Sequence, residues 1–531
     1  MTDSPTNTSA TVANYAVYDQ LTPSKVSGAA VRSISAANLN VTSSGPYGWS
    51  AIGTTMVMTS GSGKWYWEVT CSGTTSNGTM IGIHRPFTST STFPSEIIGY
   101  TGDADGYGYY MGGNKYNNSL TGVAYGASYT AGDVIGVALD MSTAGSASIT
   151  FYKNNTSQGV AFSSLTGDFF AAVSQAQANG LDINFGQRPF TYTAPTGYVA
   201  LNTFNLPTPT ILQGNEYMDA TLWTGNGTSQ SIVNAGAFKP DFVWVKSRSN
   251  TFNNNLFNST SGVNKFLVSD TTAAEATVSG TLTAFNSNGF SVGSDIGLNY
   301  SGGTYVGWQW QAGQGSTSSN TSGSITSTVS VNTTAGFSVV TYTGTGANAT
   351  VGHGLGVAPS WVIVRNRSIT QNWIVYHTSL TSASYYILLN TTAAQSGPYT
   401  TIWNGTAPTS TVFSVGTDSS VSGNGNNLVA YCFAEIAGFS KFGSYTGNGS
   451  ADGPFVYTGF RPKFVMIKNS GGGATSSLQG WIMLDTSRSP FNQTADALFT
   501  NNSNASNSSS TYGIDILSNG FKTRGTDGAV N

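Results

Sequence analysis

The chain has 531 residues and a formal net charge of −3, from 20 basic and 23 acidic side chains. Charged residues are only 8% of it and aromatics 12%, with 65 glycines and 16 prolines. This composition excludes collagen, coiled coils and a wholly disordered chain, and it argues against nucleic-acid and polybasic membrane partners. Material for buried cores is ample, and the length predicts about three to five domains.

The N-terminus, Met1-Thr-Asp-Ser-Pro-Thr, is polar and lacks the basic and apolar run of a signal peptide. Residues 1–14 are expected to form a flexible segment. No apolar run approaches the length of a membrane-spanning helix. Cys71 and Cys432 lie far apart in the sequence, so neither a bridge between them nor a cysteine metal cluster is expected. Asn-x-Ser/Thr triplets such as Asn155-Thr156-Ser157 are expected by chance in a chain of this composition.

From there the chain reads as short β-strands between Gly, Asn, Ser and Asp turns. Lys64-Trp-Tyr-Trp-Glu-Val-Thr70, Ser148-Ile-Thr-Phe-Tyr152 and Asp241-Phe-Val-Trp-Val-Lys246 are examples. Helical apolar spacing is hard to find, so the fold class is all-β. Few charges guard the strand edges, which predicts edges closed within an assembly and a homo-oligomer.

An ordered series of motifs runs through residues 15–205. It passes from Gly63-Lys-Trp-Tyr-Trp-Glu-Val69 through Ile81-Gly-Ile83 and Asp105-Gly-Tyr-Gly-Tyr-Tyr110 to Ala131-Gly-Asp-Val-Ile-Gly-Val-Ala-Leu-Asp140. Ile149-Thr-Phe-Tyr-Lys-Asn154, Phe170-Ala-Ala-Val173 and Ile183-Asn-Phe-Gly-Gln187 follow. In this order they resemble the SPRY family. The resemblance implies a bent, jelly-roll-like β-sandwich that binds through loops at one end. Trp65 and Trp67 share a strand face, as core residues or as a stacking platform for sugar. The candidate loops are 84–96 and 109–129, and the candidate binding residues are His84, Arg85, Tyr109, Tyr110, Asn114, Tyr116 and Tyr125. Tyrosine offers rigid contact area and asparagine adaptable hydrogen bonding.

A linker is expected at 206–214, and beyond it the chain repeats itself. Trp223-Thr-Gly-Asn-Gly227, Tyr342-Thr-Gly-Thr-Gly346 and Tyr445-Thr-Gly-Asn-Gly449 form one anchor. Lys239-Pro-Asp-Phe-Val-Trp-Val-Lys246, Ala358-Pro-Ser-Trp-Val-Ile-Val-Arg365 and Arg461-Pro-Lys-Phe-Val-Met-Ile-Lys468 form another. Both recur after 119 residues and then after 103. Such agreement marks three homologous units, expected as small β-sandwiches in series at 215–313, 335–437 and 438–531, with a Ser/Thr-rich linker at 314–334. The first two units end in Thr304-Tyr-Val-Gly-Trp-Gln-Trp310 and Asn427-Leu-Val-Ala-Tyr-Cys-Phe-Ala-Glu435. Phe290 precedes Trp308 by 18 residues and Phe413 precedes Tyr431 by 18, but the same step from Phe521 passes Asn531. The third unit is therefore expected to lack its last strand, either because the chain is truncated at Asn531 or because a neighbouring subunit completes that sheet.

Tyr-Thr-Gly-Asn-Gly, Gly-Phe-x-Pro-x-Phe-Val and Gly480-Trp-Ile-Met-Leu-Asp485 resemble repeats of large structural proteins of tailed phages. That resemblance implies a virion protein, a tail fibre or head-attached fibre, assembled in the host cytoplasm. Its partners would be other virion proteins and a host surface glycan or protein.

Chemistry is hard to place. Of the three histidines, His84, His353 and His377, the first falls in a loop of the first domain, and His353, in the Gly-rich turn Gly352-His-Gly-Leu-Gly356, has no Ser, Cys or carboxylate at a suggestive spacing. Asp103-Ala-Asp105-Gly resembles the start of a calcium loop, but residue 114 is Asn where the closing Glu belongs, so a turn is expected. No nucleophile elbow, phosphate loop or paired carboxylates stand out. The expectation is a non-enzymatic protein without cofactor or metal. The alternatives are a capsid or tail decoration protein and, in another class, a polysaccharide depolymerase tailspike.

Overall fold

Runs of β-branched and aromatic residues between Gly and Asn turns set the architecture: regular structure is nearly all strand. The computed structural model describes residues 7–9, 12–20, 31–44, 48–72, 78–86, 93, 95–143, 145–176, 179–206, 210–471 and 480–531. Much of the expected 1–14 segment, most of the 84–96 loop beyond Pro86, and positions 207–209 of the expected linker lie outside the described residues. The chain divides into two compact units, Met1–Thr208 with Phe455–Tyr457, and Pro209–Pro454 with Thr458–Asn531. No described helix is long and apolar enough to cross a membrane.

The first unit is a two-sheet sandwich. Its strands are β1 (Val31–Ser35), β2 (Asn40–Ser44), β3 (Trp49–Met58), β4 (Lys64–Ser72), β5 (Thr79–His84), β6 (Gly106–Tyr110) and β7 (Asn114–Tyr116). They continue with β8 (Val123–Ala124), β9 (Val134–Asp140), β10 (Ala147–Lys153), β11 (Thr156–Leu165), β12 (Phe169–Ala176) and β13 (Gly180–Asn184). One sheet has the order β8-β7-β6-β5-β12-β3, the other β11-β10-β9-β4-β13-β2-β1. Trp65 and Trp67 are both fully buried, so they belong to the core and form no stacking platform. The buried Glu68 carboxylate accepts from the Thr191 and Tyr192 amides at 2.7 and 2.8 Å, which pins the segment after β13 onto β4. Asn154 and Asn155 turn β10 into β11 with φ of 46° and 68°, the left-handed region that Asn tolerates. In Ile81-Gly82-Ile83 a Cβ on Gly82 would stand 2.0 Å from the Tyr107 carbonyl oxygen, so only glycine lets β5 and β6 pair here.

The second unit follows one plan three times. An anchor strand occupies Phe242–Ser247, Trp361–Asn366 and Phe464–Lys468. In the first two repeats a closing strand, Thr304–Trp310 or Asn427–Phe433, lies between the anchor strand and an opening strand, Met218–Thr224 or Phe337–Thr343. The expected linker at 314–334 instead supplies the strands Ser318–Asn320 and Ser327–Asn332, which extend the second repeat's sheet. Alternation along the anchor strand buries both of its faces. Val243 and Val245 enter a core belonging to the first repeat, and Val362 and Val364 do the same in the second.

The opposite faces meet each other. Phe242, Trp244 and Trp308, then Trp361, Trp373, Tyr431 and Phe433, then Trp481, Met483 and Leu498 form one cluster drawn from all three repeats. Sequence spacing suggests sandwiches in series, but their aromatic faces share a single core. A strand with two apolar faces needs two partners, and each repeat supplies only one of them.

Hydrogen bonds close the three repeats into a ring with a threefold pattern. Glu275 N donates to Arg367 O at 2.9 Å, Gln395 N to Ser470 O at 3.0 Å, and Ser506 N to Arg248 O at 2.8 Å. These link first to second, second to third, and third back to first. The basic residue ending each anchor strand repeats the pattern. Lys246 Nζ reaches Ser503 O at 2.8 Å, the Arg365 guanidinium reaches Thr272 O at 2.6 Å, and Lys468 Nζ reaches Thr392 O at 2.9 Å. Trp373 Nε1 donates to Val268 O and Trp481 Nε1 to Leu388 O, both at 2.9 Å. Asn254 takes the equivalent place in the first repeat, donating to Phe499 O at 3.1 Å.

Candidate functional site

The loop containing most candidate binding residues is a hairpin of β7 and β8 laid beside β11. Several bonds fix it there. Tyr125 Oη donates to Gly159 O, and Lys115 Nζ to Ala161 O. The Lys115 ammonium lies 5.7 Å from the Tyr125 ring centroid and 5.2 Å from that of Phe162. At the base of the loop, Tyr129 Oη donates to Tyr109 O at 2.8 Å. Burial pushes the Tyr125 and Tyr109 phenols up to about 12, so both stay neutral donors.

Two candidate residues are not at loop tips. His84 ends strand β5 and is 2% exposed; its Nε2 meets Asp103 Oδ1 at 3.1 Å and its Nδ1 meets Arg85 O at 2.6 Å. Its ring stacks on Phe170. Tyr109 is fully buried, its hydroxyl spent on Ala127 O. Both are corrected from surface to core, because each polar end finds a partner inside and the ring packs on aromatics.

The others stay partly exposed. Arg85 pairs with Asp105 at 3.1 Å and donates to Thr166 O at 2.9 Å. Tyr110 and Tyr116 form an edge-on pair 6.0 Å apart, and Asn114 donates to Thr121 O at 3.2 Å. Asp103 organises the expected turn, accepting from the Gly99 amide at 2.8 Å and the Gly106 amide at 2.9 Å.

Sequence reasoning missed the surface's apolar part. Leu120, Val123 and Val160 are 64%, 59% and 57% exposed. Val123 pairs with Lys115, whose ammonium reaches Ala161 O beside Val160, so Val123 and Val160 lie on the ground bridged by Lys115 and Tyr125. The available signal was a pair of apolar residues, Leu120 and Val123, directly after Asn117-Asn-Ser119 and around Thr121-Gly122.

The other histidines have structural bonds. His353 Nε2 meets Thr409 O at 3.1 Å, and its Nδ1 accepts from the Leu355 amide at 3.2 Å. His377 Nδ1 accepts from the Ser379 amide at 3.0 Å. Among the described residues no group of three His, Cys, Asp or Glu side chains could hold a metal ion.

Comparison with known proteins gives two family matches. The SPRY domain model matches residues 64–188, and the Domain of unknown function (DUF7483) model matches residues 213–531, spanning all three repeats. Ran-binding protein 10 of Danio rerio is 38% identical over 93 residues, 17% of this chain and 15% of that protein. Ran-binding protein 9 of Homo sapiens is 37% identical over 93 residues, 17% of this chain and 12% of that protein. The E3 ubiquitin-protein ligase RKP of Arabidopsis thaliana is 30% identical over 135 residues, 24% and 10% of the two chains. The chain thus spans less than a sixth of the length of these relatives. The crystal structure of a human SPRY domain is 19% identical, covering 29% of this chain and 97% of that one, with a TM-score of 0.25. These relatives overturn the virion expectation. They are eukaryotic Ran-binding proteins and a ubiquitin ligase, so the phage, tail-fibre, decoration, tailspike and virion-localisation readings are withdrawn. The chain carries a SPRY domain and, through residues 213–531, belongs to the DUF7483 family.

Proposed function

We propose that the chain is a non-catalytic binding protein whose SPRY sandwich docks a protein partner on the β7–β8 hairpin and the adjoining stretch of β11. Exposed Val123 and Val160, beside Lys115 and Tyr125, carry this reading, with Leu120 exposed in the loop of the same hairpin. Apolar side chains held on a hydrogen-bonded hairpin lose little entropy when covered, and a nearby amphipathic tyrosine suits a protein contact. SPRY domains mediate protein–protein interaction, which supports a protein as the partner. Two of the relatives are named as Ran-binding proteins, so purified Ran is the first probe. The absence of nucleic-acid and membrane partners, and a homo-oligomeric state, remain part of this reading, the last tested by sedimentation velocity.

The test compares wild type with a Leu120→Ser, Val123→Asp double variant in cross-linking capture. The variant is expected to lose proteins that wild type captures while keeping its melting temperature. Equal capture by both would refute the surface.

A further inference from the structure

The three seams of the ring have one position in common. Glu275, Gln395 and Ser506 recur after 120 residues and then 111, and so do the carbonyl acceptors just before them, Thr272, Thr392 and Ser503. Facing them are Arg367, Ser470 and Arg248, each just past the basic residue of an anchor strand. The backbone bonds are alike: Glu275 N donates to Arg367 O, Gln395 N to Ser470 O, and Ser506 N to Arg248 O. Arg367 and Arg248 also sit alike in their own sheets. Their amides donate to Asn427 O at 2.8 Å and Thr304 O at 2.7 Å, the first residues of the two closing strands.

The side chains differ. Between first and second repeats, the Arg367 guanidinium forks onto the Glu275 carboxylate, Nε to Oε2 and Nη2 to Oε1, both at 2.8 Å. Two-point charged pairs of this kind are among the strong hydrogen bonds. Between second and third repeats, Ser470 faces Gln395 and both are neutral. Between third and first repeats an arginine again stands past the anchor strand, but serine takes the place of glutamate. Arg248 Nε, the counterpart of the Arg367 atom bound to Glu275, is buried with no hydrogen-bond partner among the described residues, and so is Ser506 Oγ.

No acid is at hand in the facing segment. Asn501-Asn-Ser-Asn-Ala-Ser506 has none, where Asp270-Thr-Thr-Ala-Ala-Glu275 has two. Asp270 reaches this seam as well, but its carboxylate accepts from the Asn254 amide at 2.8 Å and its charge supports the Lys246 ammonium. Two buried donors are thus left over where the same chain, at the equivalent place, has a closed ion pair. Leaving such groups unmade is costly.

We propose that a small oxoanion binds at this seam, between the Arg248 guanidinium and the Ser506 hydroxyl, in the place of the Glu275 carboxylate. Serine ends at its Oγ where glutamate continues to a carboxylate, so the ligand is of carboxylate or phosphate size. The guanidinium donates to two of its oxygens and the Ser506 hydroxyl to one. Both residues are partly exposed as wholes, which gives a small ion access from solvent. Bound there, the anion holds the third repeat to the first as Glu275 holds the first to the second.

The test is urea unfolding of the 531-residue chain with sodium phosphate or sodium acetate titrated against chloride at constant ionic strength. Wild type is expected to show a saturable rise in urea midpoint with one or both anions, and the one that half-saturates first marks the ligand as tetrahedral or carboxylate. Arg248→Gln should need about tenfold more of that anion for half the rise. Ser506→Glu supplies the carboxylate in the chain itself, so it should start from a higher midpoint and lose the dependence. No saturable rise in wild type, or the same rise in all three chains, which is the general salt effect alone, would overturn the proposal. A Ser506→Glu chain that keeps the wild-type rise would overturn it too.

Discussion

Asp485→Ala should loosen the first repeat although the substitution is in the third. The Asp485 carboxylate accepts from Arg488 Nε at 2.6 Å, from the Arg488 amide at 2.9 Å, and from Trp308 Nε1 at 3.0 Å. Both charged side chains are fully buried, and the guanidinium lies 5.4 Å from the Trp308 ring centroid. Removing the acid leaves a buried cation without its anion, which costs about 3–5 kcal/mol. The Arg488→Met, Asp485→Ala double variant should recover much of that, since an apolar replacement removes the unpaired charge too. Urea unfolding gives the free energies, and amide exchange of Thr304–Trp310 reports on the first repeat. A cost below about 1 kcal/mol, or lost protection confined to the third repeat, would refute the reasoning.

Other substitutions test other parts of the account. Arg365→Lys should stay within about 1–2 kcal/mol of wild type in urea unfolding, because lysine fills this place in both other repeats, while Arg365→Ala should cost more by leaving the Thr272 and Gln371 carbonyls without their donor. Burial holds the His377 imidazole down at about 4 and lowers His353 as well. The unfolded chain therefore takes up these protons first, near pH 6.5, and stability falls from there toward pH 4, where the His377 contribution levels off. For His377 the loss is at most about 3 kcal/mol, reduced by its partial exposure, and His377→Gln should flatten that part of a urea-midpoint profile. Gly82→Ala should cost the SPRY unit about 3 kcal/mol or more by driving a methyl into the Tyr107 carbonyl, read as a lower melting temperature.

Repeat spacing and the SPRY motif series were legible because turns and paired strands constrain local residue types. The shared core was not. Phe-Val-Trp-Val in an anchor strand tells that both faces are apolar, but not that one of them meets two other repeats. Nor did the basic residue ending each anchor announce its carbonyl partners, which lie far along the chain, as with Lys246 and Ser503. At the candidate surface, polarity misled in both directions. His84 and Tyr109 read as surface residues yet have polar partners inside, whereas Leu120 and Val123, not among the candidate residues, stand exposed. Burial of a polar group depends on partners brought from elsewhere in the chain, such as Asp103 for His84.

The central claim is that the three repeats are one cooperative ring around one core. Native-state amide exchange across rising urea tests it most directly, followed in Asn255–Asn258, Ile374–His377 and Trp481–Asp485, the strand beside each anchor. The account predicts that all three converge on one opening free energy with one urea dependence. Three separate free energies, each with a smaller urea dependence, would contradict it.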